Sequence, residues 1–218
     1  MTTTQTLPNT KSSYAFNVFY TEDTTTLGFL PTLVSKNPWE WAMLRNLFEG
    51  KRATILLVDR SIETPFHCLL AALFCKQLKE ELGFKLGKFH TVLTPLKKNT
   101  GSLGTVNDCF DTSDNRNRFL RECFKHTLEK NVAVTSKYNP IHCRDLKISI
   151  DDYTLFVRFE GGIGRGWYPA DKSIAALPAS ELLQLHDKDL TCRSIYVHGH
   201  SRTGVFINIE IQKKSFDK

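Results

Sequence analysis

The residues best equipped for chemistry fall in one stretch, Ile141 to Trp167. It reads Ile141-His142-Cys143-Arg144-Asp145, then a hairpin, then Gly162-Ile163-Gly164-Arg165-Gly166-Trp167. His142 and Arg144 are alternate residues at the start of an extended segment, so their side chains point the same way. Arg165 sits between glycines just beyond the return strand, and the hairpin turn brings it back toward the level of His142 and Arg144. Glycines at 164 and 166 let backbone N–H groups come close to an oxyanion. One imidazole, two guanidinium forks and glycyl amides together suit a phosphate. The expected phosphate-binding set is therefore His142, Arg144, Gly164, Arg165 and Gly166. A competing reading pairs Arg144 and Arg165 with Asp145, Asp151 or Asp152 as ordinary ion pairs and leaves His142 structural.

Two other groups of reactive residue types carry less. His198-Gly199-His200 places two imidazoles on one strand face, where His186 or Asp187 would have to complete a zinc site. No clear third ligand presents itself, and the run His198 to Gly204 reads more naturally as a polar turn, so no metal and no cofactor are expected. The six cysteines, Cys68, Cys75, Cys109, Cys123, Cys143 and Cys192, are scattered, with no CxxC pair. Free thiols are expected, with Cys68, Cys75 and Cys123 as small hydrophobes on apolar helix faces. Trp39 and Trp41 are read as packing residues.

The elements that must position the Ile141–Trp167 stretch follow from periodicity and punctuation. Alternation from Tyr14 to Tyr20 predicts a strand. Pro38 opens a short helix through Leu47, stopped by Gly50. The apolar run Ala53 to Asp59 predicts a strand covered on both faces. Thr64 caps a helix begun by Pro65 and ended by Gly83, and Lys88 to Thr94 forms the next strand, giving a parallel β-α-β unit. A polar loop from Thr100 to Asp114 leads to a helix from about Asp114 to Lys130, with Phe119, Leu120, Cys123, Phe124 and Leu128 on its apolar stripe. Val132 to Ser136 is a strand, and Asp145–Ile150 with Tyr153–Phe159 forms a hairpin turned at Asp151-Asp152. A short helix at Ser180 to His186 and strands near Ser194–Val197 and Val205–Ile211 complete the chain. The fold class is α/β, one mixed sheet flanked by helices.

Composition sets the outer bounds. The 218 residues, 41% hydrophobic and 24% charged, have ordinary globular values and need no disulfide or metal to fold. Residues 1–13 are Thr-rich and nearly uncharged and are read as a flexible tail, with residues 14–218 as one domain. No apolar run approaches the ~18 residues of a bilayer crossing, and no secretory signal stands at the N-terminus, so a cytoplasmic protein is expected, with peripheral membrane attachment left open. The net charge of +6 permits a polyanionic partner without demanding one. Both anionic lipid and nucleic acid remain open as the phosphate-containing ligand.

Short motifs in order add a resemblance. Leu57-Val58-Asp59-Arg60-Ser61-Ile62, Thr91-Val92-Leu93-Thr94, Ile141 to Asp145 and Ile163-Gly164-Arg165-Gly166 resemble the phospholipase-D-like C-terminal domain of MIT-domain-containing abscission proteins and its prokaryotic stand-alone relatives, over roughly residues 52–172. The chain departs from it in having no helical MIT module and in carrying Trp167-Tyr168 where the family has Leu-Asp. The resemblance implies a phospholipase-D-like fold and a homodimer that binds phosphate-containing ligands with little or no hydrolysis. Its catalytic alternative is a dimeric phosphodiesterase or nuclease with His142 as nucleophile, Arg144 in place of the pattern's Lys, and Ser149 where the pattern requires Asp.

Overall fold

The computed structural model describes residues 13–20, 24–26, 37–96, 110–137, 144–159, 162–163, 167–169, 177, 179–184, 191–194 and 205–214. In chain order the elements are β1 (Ser13–Tyr20), β2 (Thr24–Thr26), α1 (Pro38–Phe48), β3 (Arg52–Asp59), α2 (Pro65–Leu82), β4 (Lys85–Leu93) and α3 (Ser113–Leu128). There follow β5 (Ala133–Ser136), β6 (Asp145–Ser149), β7 (Tyr153–Phe159), β8 (Trp167–Pro169), α4 (Ala179–Leu182), β9 (Thr191–Ser194) and β10 (Val205–Lys213). The α/β class and the mixed sheet are as expected. Strands β2 and β8 are not foreseen, because three residues are too few to show a period. Ser13, assigned to the expected tail, belongs to β1, and residues 1–12 lie outside the described residues. β9 meets the strand expected near Ser194–Val197 at Ser194, and residues 195–197 lie outside the described residues.

Seven strands form one sheet in the order β1-β10-β7-β6-β3-β4-β5, and β2-β9-β8 forms a second, three-stranded sheet. β3, β4 and β5 run parallel, joined by the crossovers α2 and α3, while β6, β7, β10 and β1 continue the sheet antiparallel. Thr64 Oγ1 accepts from the His67 amide at 3.2 Å and Gly83 closes α2 in the left-handed region at φ 67°. Thr112 Oγ1 caps α3 by accepting from the Asn115 amide at 3.1 Å. Each cap satisfies a backbone donor that a helix start leaves open.

The register shows how the core is built. One row crosses all seven strands: Val134, Thr91, Leu57, Leu146, Val157, Ile209 and Phe16. The next row toward the amino ends of the parallel strands runs Phe89, Ile55, Ile148, Leu155, Ile211 and Tyr14. Except for Tyr14 and Phe16, which are half-buried, these residues are buried, and α2 and α3 pack on each other over the covered face. Helix α1 joins them through Trp41, Met43, Leu44 and Phe48. Strand residues therefore alternate between a helix-covered face and another that is more exposed among the described residues, so β3 is not covered on both faces as its apolar run suggested: Thr54 is exposed and Leu56 and Val58 are half-buried. Cys68, Cys75 and Cys123 are free and buried in this core, as expected, and burial pushes each thiol up, so none is a reactive thiolate. Among the described residues no helix is long and apolar enough to cross a membrane.

Candidate functional site

Several described segments meet at one edge of the large sheet, where the parallel strands end. Val58 pairs with Asp145 and Asp145 with Arg158, so the start of β6 and the end of β7 lie level with the end of β3. The Phe159 amide donates to the Arg144 carbonyl at 3.1 Å, which extends that ladder by one residue. Asp59 and Arg144 thus follow Leu57 and Leu146 onto the helix-covered face, at its rim.

Asp59 organises this rim. It is buried, and its Oδ1 accepts from the Ser61 amide at 2.6 Å and the Ser61 hydroxyl at 2.5 Å. Its Oδ2 accepts from the Ile163 amide at 2.7 Å. Burial raises its carboxyl above the usual range, while the two Ser61 bonds, the Ile163 bond and the Arg144 charge pull the other way without cancelling it. Gly162 makes the approach possible. It has φ +79°, and a Cβ there would stand 2.1 Å from Ser61 Oγ and 2.9 Å from Asp59 Oδ1. Only glycine accommodates both conditions.

Behind Asp59 lies a second polar group. His67, in the first turn of α2, is buried and bonded to the Ser61 backbone; burial drives its pKa down to about 4, so it is neutral at pH 7. Arg116, in the first turn of α3, is only 1% exposed. Its guanidinium donates to the Ile62 carbonyl at 3.3 Å, to Ser136 Oγ at 3.0 Å and to Asn117 Oδ1 at 3.4 Å, while Asn117 Nδ2 donates to Ser136 Oγ at 2.8 Å. One buried fork therefore ties the ends of β3 and β5 to α3. No carboxylate pairs with Arg116 among the described residues. Burial lowers its pKa, yet a guanidinium keeps its charge.

Of the expected phosphate site, Arg144 is placed beside Asp59, and the Ile163 amide that precedes Gly164-Arg165-Gly166 is clamped to the same carboxylate. His142, Gly164, Arg165 and Gly166 lie outside the described residues, as do His186, Asp187, His198 and His200. The competing ion pairs take a different form. Asp145 is 3.6 Å from Arg158, not matched to Arg144, and Arg144 has the charge of Asp59 beside it. Among the described residues no cluster of His, Cys, Asp or Glu could hold a metal ion. Sequence reasoning missed Asp59, His67, Arg116, Asn117 and Ser136 as site residues. A signal existed for two of them. Asp59 closes an otherwise apolar strand, and Arg116 precedes Phe119, Leu120 and Cys123 at helical spacing, a charge on the apolar stripe.

Charges of both signs meet at the rim, with Asp59, Glu63, Asp111 and Asp114 among the cations. Arg60, Arg116, Lys137 and Arg144 gather where α2 and α3 begin, and each helix N-terminus adds a partial positive charge of roughly half a unit. Residues 28–203 match the family described as DEAD/DEAH box helicase YjiV, C-terminal domain. The chain belongs to that family. No curated protein and no solved structure matches it. Membership in the YjiV C-terminal domain family overturns the resemblance to the phospholipase-D-like domain of MIT-containing proteins. The segments that carried that resemblance are strand ends and glycine turns, and Asp59, Leu93, Arg144 and Gly162 do here what such positions do in many α/β sheets: end strands and reverse the chain. The pattern that would make His142 a nucleophile was part of that resemblance, and His142 itself lies outside the described residues.

Proposed function

We propose that this domain binds the phosphate backbone of nucleic acid at the carboxyl edge of its large sheet and does not itself turn over a substrate. The observation that carries the reading is an unsatisfied donor at that edge, Arg60 Nε. Arg60, Arg116, Lys137, Arg144 and the N-termini of α2 and α3 meet there with the acids Glu63, Asp111 and Asp114, and the buried acid among them, Asp59, has both oxygens occupied by Ser61 and Ile163. Arg60 Nε is buried with no hydrogen-bond partner among the described residues, a donor that a phosphate oxygen would satisfy. His142, Gly164, Arg165 and Gly166 adjoin Arg144 and Ile163 in sequence and form part of the proposed contact surface. The family name supports nucleic acid over lipid, because a helicase acts on nucleic acid. The 218 residues contain no G-x-x-x-x-G-K-[ST] loop, so ATP hydrolysis is not proposed for this chain. The homodimer was expected from the corrected resemblance alone and forms no part of the proposal.

The test is titration of the protein into labelled single-stranded DNA and into phosphatidylserine vesicles at two salt concentrations. Saturable binding to DNA that weakens steeply with salt, with vesicles bound less well, is the expected result. Failure to bind DNA at low salt, or tighter binding to vesicles, refutes the reading.

A further inference from the structure

We infer that the uncovered face of the seven-stranded sheet is a stacking platform for single-stranded nucleic acid, centred on Phe156. The inference rests on the nucleic-acid reading above and assigns it a second surface and a strand state. Two rows of this face cross all seven strands: Thr135, Val92, Val58, Asp145, Arg158, Asn208 and Asn17, then Ala133, His90, Leu56, Lys147, Phe156, Glu210 and Ala15. Thr135, His90, Arg158, Asn17 and Ala15 are exposed from one side of the sheet to the other, and among the described residues no helix covers it. At ~4.8 Å per strand the platform is about 29 Å wide, room for several nucleotides.

Its chemistry is that of a nucleobase surface. Leu56, Val58 and Val92 make a half-buried apolar floor beside the Phe156 ring. Lys147 Nζ and Arg158 Cζ each lie over that ring, 5.4 Å from its centroid, cations that a base stacking on the ring would displace toward its phosphates. Both acids of the two rows are already engaged, since Arg158 is 3.6 Å from Asp145 and 3.3 Å from Glu210. Arg52 and Lys88 are exposed, neither they nor Lys147 has a carboxylate partner among the described residues, and the described residues of the face are net cationic. Bases stack on aromatic side chains while flanking cations take the phosphates, and only unpaired bases are free to do so.

Anisotropy of a labelled oligothymidylate and of a duplex of equal length, titrated with wild type, Phe156→Ala, Lys147→Gln and Arg60→Gln, decides the matter. Phe156→Ala is expected to weaken the single strand about tenfold and leave the duplex unchanged. Lys147→Gln is expected to weaken the single strand several-fold and to lower the salt slope by about one. Circular dichroism shows whether Phe156→Ala folds, and if it does not, Lys147→Gln alone decides. Wild-type affinity in the face variants with a loss in Arg60→Gln overturns the platform and leaves the edge site standing. Losses in the face variants with none in Arg60→Gln uphold the platform and overturn the edge site. No loss in any variant, no binding by wild type, or a face that captures a second copy of the chain instead of DNA, overturns the platform.

Discussion

The Ile163 amide donates to Asp59 Oδ2 at 2.7 Å, joining residues 104 apart in sequence. This bond fixes where the chain emerges from β7 relative to the end of β3, and so where the glycine–arginine segment at 164–166 begins. It also explains why a carboxylate is buried at this rim. An acceptor with two oxygens serves Ser61 on one side and Ile163 on the other, which neither a neutral amide nor a hydroxyl can do.

Asp59→Asn is therefore expected to destabilise the fold. One amide oxygen replaces two carboxylate oxygens, and the new NH2 group must face either the Ser61 or the Ile163 donor. The cost is about 1–3 kcal/mol for a buried group left unsatisfied, read as a lower urea midpoint at unchanged slope. An unchanged midpoint would show that the clamp does not hold the rim.

Gly162→Ala tests the same contact from the other side, with Gly50→Ala as its control. Both glycines have positive φ, +79° and +70°, but a Cβ at Gly50 meets nothing within 4 Å while one at Gly162 stands 2.1 Å from Ser61 Oγ. Left-handed backbone alone costs about 1–2 kcal/mol, and overpacking adds about 1–3 kcal/mol. Thermal melts should rank Gly162→Ala well below Gly50→Ala. Equal losses would mean that the loop moves aside without cost.

His67 supplies a pH dependence of definite sign. Its folded pKa of about 4 lies below the unfolded value of 6.5, so its contribution is complete above pH 6.5 and is lost as pH falls from there to about 4. The full loss is roughly 3 kcal/mol. Asp59, raised in the folded state, acts in the opposite sense and favours the fold toward acid. Denaturant titrations from pH 7 to 4 should show stability falling in wild type and a flatter profile in His67→Gln. A His67→Gln profile as steep as wild type would exclude His67 as the source.

Much of this architecture was legible in the sequence. The caps at Thr64 and Gly83, the apolar run ending at Asp59 and the Asp151-Asp152 turn sit in local patterns whose physics is local. The register was not legible, because which strands neighbour one another is decided by long-range pairing. β10, near the end of the chain, inserts between β1 and β7. The site was half legible for the same reason. Arg144 stands out as a cation at a strand start, whereas the link between Gly162-Ile163 and Asp59 spans too much chain to be seen without the fold. Arg116 was hidden by its type, since a buried guanidinium tied to two strand ends looks in sequence like one more surface arginine. The motif resemblance misled because strand ends and glycine turns recur wherever an α/β sheet reverses its chain.

The central claim, that the carboxyl edge of the sheet holds a nucleic-acid backbone, is tested most directly by the salt dependence of DNA binding. Wild type, Arg60→Gln and Lys137→Gln would be compared across a salt series, using variants whose side chains make none of the Asp59 clamp bonds. If the edge contacts phosphates, log affinity falls linearly with log salt, and each variant lowers the slope by about one while weakening all sequences alike. Variants that bind with wild-type affinity and wild-type slope would contradict the account.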